Sequence, residues 1–398
     1  MNLSKKAMGI QPSVTLEITA KAKQLKKQGV DVISFGAGEP DFNTPNNIIN
    51  AAVKAMNDGN TKYTETAGIL ELRNAICNKL KKDNGLNYEP SQIVVSTGAK
   101  QCLANVFTAI LNPGDEVILS NPSWVSYVEL IKLADGIPVI VDGEKENGYK
   151  YSIETLEAVI TDKTKAILIN SPNNPTGQIY NKEELEKIAD FAKRHNLMII
   201  SDEIYEKLIY GGQEHVSIAS LSEDAYERTI VINGMSKTYA MTGWRVGYTA
   251  SSERVAKIIT SIQSHMTSNV CSIAQYASIE ALNGPQDDIN KMKKAFEERR
   301  NQMIARLDKI KNISYIKPNG AFYIMVNIEK CIGKNCNGNV ISNSVEFAKQ
   351  LLSEKKVAVI PGAAFGLENY IRLSYATSMD NINEGLNRIE CFIDELMK

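Results

Sequence analysis

The chain reads as an α/β protein, with a large, doubly wound, mainly parallel sheet domain and a smaller α+β domain. Three observations lead there. Runs that are apolar throughout, apart from an opening Glu116 and Thr229, recur at 93–95, 116–119, 166–169, 197–200 and 229–232, as expected of strands buried on both faces. Helix-like stretches separate them, the clearest carrying Leu103, Val106, Phe107, Ile110 and Leu111 on one face. Finally, a polar motif follows each run: Thr97-Gly98-Ala99-Lys100, Asn121-Pro122-Ser123-Trp124, Asn170-Ser171-Pro172-Asn173-Asn174-Pro175-Thr176-Gly177, Ser201-Asp202-Glu203-Ile204-Tyr205 and Ser236-Lys237. Open α/β sheets bind ligands beyond the carboxyl ends of their strands. Five loops are therefore expected to meet in one crevice.

Taken in order, residues 1–45 read as an N-terminal arm expected to pack on the C-terminal unit, and 46–284 as the large domain. Asn283-Gly284-Pro285 breaks the pattern and marks the boundary. A long charged helix, about 286–309, opens the small domain, 285–398, whose strand-like pieces fall at 321–325, 357–360 and 371–374.

Composition excludes several classes. The 398 residues carry 45 basic and 46 acidic side chains, a formal net charge of -1, which gives no electrostatic reason to expect nucleic acid or a membrane surface. Six scattered cysteines without a C-x-x-C pair, and three histidines, argue against a metal centre or a disulfide framework and for reduced, cytoplasmic thiols. Neither a signal-peptide core nor a run of ~18 uncharged apolar residues is present, so a soluble cytoplasmic protein is expected.

Lys237 lies just past the run 229–232, in a loop of small and polar residues with Arg245 following. A buried lysine can be pushed toward its neutral, nucleophilic form and form a Schiff base, and a guanidinium nearby suits a phosphate. Asp202 ends the run 197–201, where an aspartate often caps a helix. His195, in Lys193-Arg194-His195-Asn196, reads as a partner of a helix C-terminus.

Together these residues resemble the aspartate aminotransferase family, the pyridoxal-phosphate enzymes of fold type I, and in particular its bacterial and plastid-type subgroup. The match runs from Pro12-Ser13-Val14-Thr15 through Ala37-Gly38-Glu39-Pro40-Asp41 to Arg372-Leu373-Ser374-Tyr375-Ala376. The resemblance implies that Lys237 carries the internal aldimine with pyridoxal phosphate and shuttles the proton, and that Asp202 pairs with the pyridine nitrogen. Tyr205 and Asn174 would hydrogen-bond the phenolic oxygen, and Trp124 would stack on the ring. Gly98, Ala99 and Lys100 at a helix start near Gln101, with Ser236 and Arg245, would take the phosphate, joined by Tyr63 from a second subunit of a homodimer. Arg372, on an expected edge strand, would clamp the substrate α-carboxylate, with Gly38, Trp124 and Asn174 beside it. The distal carboxylate would fall to Lys100, with Ser13 and Thr15 as neutral donors. Asn121-Pro122 and Asn174-Pro175 are expected to be cis.

The implied activity is a ping-pong transamination between aspartate or glutamate and a 2-oxo acid. Prephenate or aromatic specificity, or a lyase reaction on the same fold, stays open. A ligand-sensing regulator would need a DNA-binding module before the catalytic-like domain, for which 1–45 leaves no room. No G-x-G-x-x-G follows an expected strand, against a Rossmann dehydrogenase.

Overall fold

A computed structural model describes residues 3–10 and 14–398, the side chains of 14–17 excepted. Its large sheet has seven strands: β1 (Ile93–Ser96), β2 (Glu116–Asn121), β3 (Ile137–Asp142), β4 (Thr164–Asn170), β5 (Met198–Asp202), β6 (Thr229–Gly234) and β7 (Gly247–Ala250). They lie in the order β1-β7-β6-β5-β4-β2-β3. All neighbours are parallel except β7, antiparallel to both β1 and β6.

The five apolar runs are the strands they were expected to be, and the sheet is the doubly wound one. Alternation along β5 shows why it needs cover on both faces. Ile199 joins a cluster with Leu185, Ile188 and Phe191 of the helix Lys182–Arg194. Its neighbour Ile200 joins Leu103, Val106 and Phe107 of the helix Ala99–Ile110 on the other side. The covering helix Lys182–Arg194 starts where Asn181 and Glu184 cap each other's backbone N–H groups, at 2.9 and 2.8 Å. His195 caps its C-terminus and contacts Glu157 at 3.0 Å.

A second sheet orders β10 (Ile360–Pro361), β11 (Tyr370–Ser374), β9 (Tyr323–Asn327) and β8 (Ser314–Ile316), all antiparallel. The helices Asp287–Leu307 and Met379–Leu396 supply Met292, Phe296, Leu386 and Phe392 to its core. Arg372 thus sits on an internal strand, flanked on both sides, and not on an edge. Near the N-terminus, Ile33–Ser34 pairs in parallel with Val357–Ala358, while Lys6 reaches Asp135 at 2.8 Å. Asn121–Pro122 and Asn174–Pro175 are cis, as is Ser171–Pro172. Among the described residues no helix is long and apolar enough to cross a membrane.

Candidate active site

A crevice of about 390 Å³ opens at the carboxyl ends of β4, β5 and β6. It is lined by Gly38, Ala99, Lys100, Trp124, Asn174, Asp202, Tyr205, Ser236, Lys237, Arg245 and Arg372, so the loops expected to meet do meet.

Lys237 follows β6 and reaches into this space, its Nζ donating to the Gly38 carbonyl at 2.5 Å. Aromatic rings of Tyr205 and Phe322 lie 5.8 Å away. Burial lowers the amine to about 8, and the cations of Arg372 and Arg245 add to this against the opposing pull of Glu39 and Asp202. A lysine so placed is a workable nucleophile near neutrality.

Asp202 ends β5 with its carboxylate toward the crevice. It accepts from the Tyr127 hydroxyl at 2.7 Å and from the Ile204 N–H at 3.2 Å. Burial raises it to about 6, held back by those two hydrogen bonds. The incomplete compensation leaves a carboxylate suited to a cationic ligand group.

An anion cradle lies at the other end. The helix Ala99–Ile110 begins two residues earlier than expected, with Gly98 as its N-cap at φ 81°. A Cβ on Gly98 would come within 2.4 Å of the Arg245 guanidinium, and one on Gly247 equally near the Ala99 nitrogen. Only glycine permits this approach. Gly98 is therefore buried behind the cradle, outside the crevice lining. Arg245 donates to the carbonyls of Thr242 at 2.8 Å and Thr97 at 3.3 Å, and among the described residues it pairs with no carboxylate. With first-turn N–H groups and Ser236 beside it, this donor set fits a phosphate.

Arg372 is 3% exposed, and one guanidinium nitrogen donates to Asn174 Oδ1 at 2.9 Å. Its guanidinium stacks over Tyr323 at 4.2 Å and Phe365 at 4.9 Å. Its Nε is buried without a hydrogen-bond partner. A second guanidinium nitrogen donates to the Gly36 carbonyl at 3.5 Å. A buried fork with no carboxylate partner among the described residues suits a carboxylate. Lys100 lies 4.9 Å over the Trp124 ring, its pKa lowered by burial and by Arg245.

Not every expected residue is in the crevice. Tyr63 is 90% exposed and outside it. Ser13 lies outside the described residues. Thr15 falls in the helix Val14–Lys27, but its side chain is also outside them. Several lining residues went unread in the sequence. Tyr127, on the helix Ser126–Leu133 just after Trp124, reaches Asp202 only through a tertiary contact. Tyr323 hydrogen-bonds Tyr205 at 3.0 Å and supports Arg372 across the small sheet. Glu39, held by Thr242 at 2.8 Å, and Lys23 also line the space.

The model of the aminotransferase class I and II family matches residues 30–389. The chain belongs to that family. This aminotransferase is 51% identical to the aspartate aminotransferase of Bacillus subtilis over 395 residues, covering 99% of this chain and all of the relative. Among solved structures it is similar to the aspartate aminotransferase of Rhizobium meliloti, with a TM-score of 0.96, 40% identity and full coverage of both chains. The Thermus thermophilus aspartate aminotransferase, solved with maleate, matches with a TM-score of 0.93 and 40% identity over 98% of this chain and 99% of that one.

Proposed function

We propose that this aminotransferase uses pyridoxal phosphate to move an amino group between an acidic L-amino acid, aspartate or glutamate, and a 2-oxo acid, in two alternating half-reactions. One observation carries the reading: an amine near neutrality, a buried carboxylate and two carboxylate-free guanidinium groups face the same crevice. Pyridoxal phosphate, when bound, supplies an electron sink that lets the substrate Cα lose its proton.

The chain's own residues divide the remaining work. Asp202 holds the ring nitrogen protonated, with Tyr127 fixing its orientation. Arg245, Ser236 and the N–H groups of Ala99 and Lys100 hold the phosphate, and Gly98 gives the clearance. Trp124 covers the ring face, and Tyr205 and Asn174 hydrogen-bond the ring's oxygen. Arg372 fixes the α-carboxylate, with the Gly38 backbone beside it, and so aims the Cα–H bond at Lys237, which takes the proton and returns it. Lys100, with Ser13 and Thr15, binds the distal carboxylate. The maleate found with the Thermus thermophilus relative is a dicarboxylate, which supports an acidic substrate.

The working unit is a homodimer in which Tyr63 crosses to the neighbouring phosphate. Support comes from the 90% exposure of Tyr63 and from the exposure of apolar Ile49, Val53 and Met56 nearby in sequence. A second, mainly apolar hollow of about 670 Å³, lined by Phe42, Trp244, Ile273 and Ala274, shares Arg245 with the crevice, room for a partner's loop. A reducing, cytoplasmic setting fits the six free cysteines.

The test is the visible absorbance of the protein loaded with pyridoxal phosphate. Aspartate and then glutamate should each shift it, with the matching 2-oxo acid reversing the change, and Lys237→Ala should not respond. Shifts with phenylalanine or prephenate but none with either acidic amino acid would replace the specificity. Mixing Tyr63→Phe with Lys237→Ala subunits should restore activity above both parents if sites are shared.

A further inference from the structure

Behind the crevice, on the far side of residues 202–206, lies a cluster of charged side chains that the reaction does not use. Glu203 is 1% exposed. It accepts from Ser217 at 2.6 Å, from Ser201 at 2.9 Å and contacts His215 Nε2 at 2.9 Å. Three residues on, Glu206 is buried against Lys79, and Asn84 bridges the two, accepting from Lys79 at 2.8 Å and donating to Glu206 at 3.0 Å. A carboxylate oxygen of Glu203, one of Glu206 and a ring nitrogen of His215 all lie within 4.8 Å of one another. Two carboxylates so close need two positive charges. Lys79 is one. The charged groups acting on His215 are Glu203, Glu206 and Lys79 themselves. Asp83 lies 4.0 Å from Lys79 and pairs with Lys207 at 2.9 Å, and Tyr88, Tyr239 and Tyr248, held neutral by burial, face the carboxylates. The imidazolium is the remaining source of charge.

Ser201 and Glu203 share one face of the chain, while Asp202 between them faces the crevice. Glu203 is thus the carboxylate directly behind the one assigned to the cofactor ring. Its backbone is tied as well, with its N–H on Ile232 O at 2.8 Å and its carbonyl accepting from Glu206 at 2.9 Å. We propose that His215 is a positioning residue: as an imidazolium it neutralises Glu203, and so lets Asp202 keep its charge and its orientation toward the ring nitrogen. This rests on the cofactor reading of Asp202 given above.

Two buried like charges in sequence raise each other's proton affinity, and Glu203 acts on Asp202 in that sense. With His215 cationic that influence is cancelled; without it, extra negative charge reaches the crevice and favours every protonated group there. Burial opposes the charge on His215, but Glu203 and Glu206 beside it outweigh burial and Lys79 and hold it above the ordinary imidazole range; Nδ1 has no hydrogen-bond partner among the described residues.

The experiment follows the visible absorbance of the bound pyridoxal phosphate against pH in wild type, His215→Gln, Glu203→Gln and the double variant. His215→Gln should move the titration midpoint up by about half a pH unit or more. Adding Glu203→Gln should return it to the wild-type value, which a merely structural role for His215 would not do. An unshifted midpoint in His215→Gln, or a shift that the double variant keeps, overturns the proposal. Failure of the wild-type protein to take up pyridoxal phosphate overturns the functional reading instead. Should His215→Gln not fold, NMR of the cofactor-free protein decides, because the chain has 3 histidines to resolve. The His215 titration should fall by about a unit or more in Glu203→Gln; an unchanged midpoint contradicts the pairing.

Discussion

The two sides of residues 202–206 treat charge in opposite ways. Toward the crevice stand Lys100, Lys237, Arg245 and Arg372, and none of them forms an ion pair among the described residues. Behind the segment, Lys79 pairs with Glu206 and His215 with Glu203, and serines and an asparagine take up the remaining oxygens. Unpaired charge in a dry site costs stability, which an anionic ligand would return on binding. Paired charge fixes backbone, and removing one member leaves the other stranded. The difference separates groups held ready for ligands from groups that hold the scaffold.

The sharpest break comes on the crevice side. Lys237→Ala should lower transaminase turnover by about 10⁴-fold or more, since both the covalent link and the proton carrier go; single-turnover absorbance checks it. Arg372→Ala comes next. Removing a partner from a buried charge pair costs roughly 3–5 kcal/mol, so kcat/KM should fall on the order of 10²–10⁴-fold for every amino donor. Lys100→Ala should cost about ten- to a hundredfold for aspartate, the range of charged hydrogen bonds, while sparing phenylalanine. Equal losses for both donors would assign Lys100 to the cofactor or the fold.

On the scaffold side the effect is on stability. Burial alone would raise Glu206, but Lys79 and His215 beside it drive it down to about 2 from an ordinary 4.5. A depressed carboxylate stabilises the fold above its unfolded value, and that contribution is lost as pH falls from about 4.5 to about 2. Glu206→Gln should therefore flatten acid unfolding across that window as well as lower stability at neutral pH, both readable by urea titration. The smallest expected effect concerns Lys237 again. With its amine near 8, the rate of cofactor uptake by the empty protein should climb with pH and level off above that value.

The loops of the crevice side were legible because each follows a continuous apolar run of three or four residues, a signal that needs no knowledge of the fold. β3 escaped because it is an edge strand whose residues are half exposed, and β7 because its four residues, Gly247–Ala250, include a glycine and a threonine and so make no continuous apolar run. Arg372 was expected on an edge; the strand Ile360–Pro361, two residues long, covers it and leaves no periodic trace. Tyr127 and Tyr323 needed tertiary contacts to become visible. So did the scaffold side, since His215 is carried to Glu203 by a loop through Gly211 and Gly212, both at φ 71°, and nothing in the spacing announces it.

Crevice charges without ion pairs and scaffold charges paired with one another should respond oppositely to neutralisation. Urea unfolding of the cofactor-free protein separates them, comparing Arg372→Met with Lys79→Met, each a charge exchanged for an apolar chain. The expected midpoint is unchanged or higher for Arg372→Met, because an unpaired buried cation is removed, and clearly lower for Lys79→Met, because Glu206 is stranded. Equal losses in the two variants, or a larger loss for Arg372→Met, would mean that the two sides of residues 202–206 do not differ in this way.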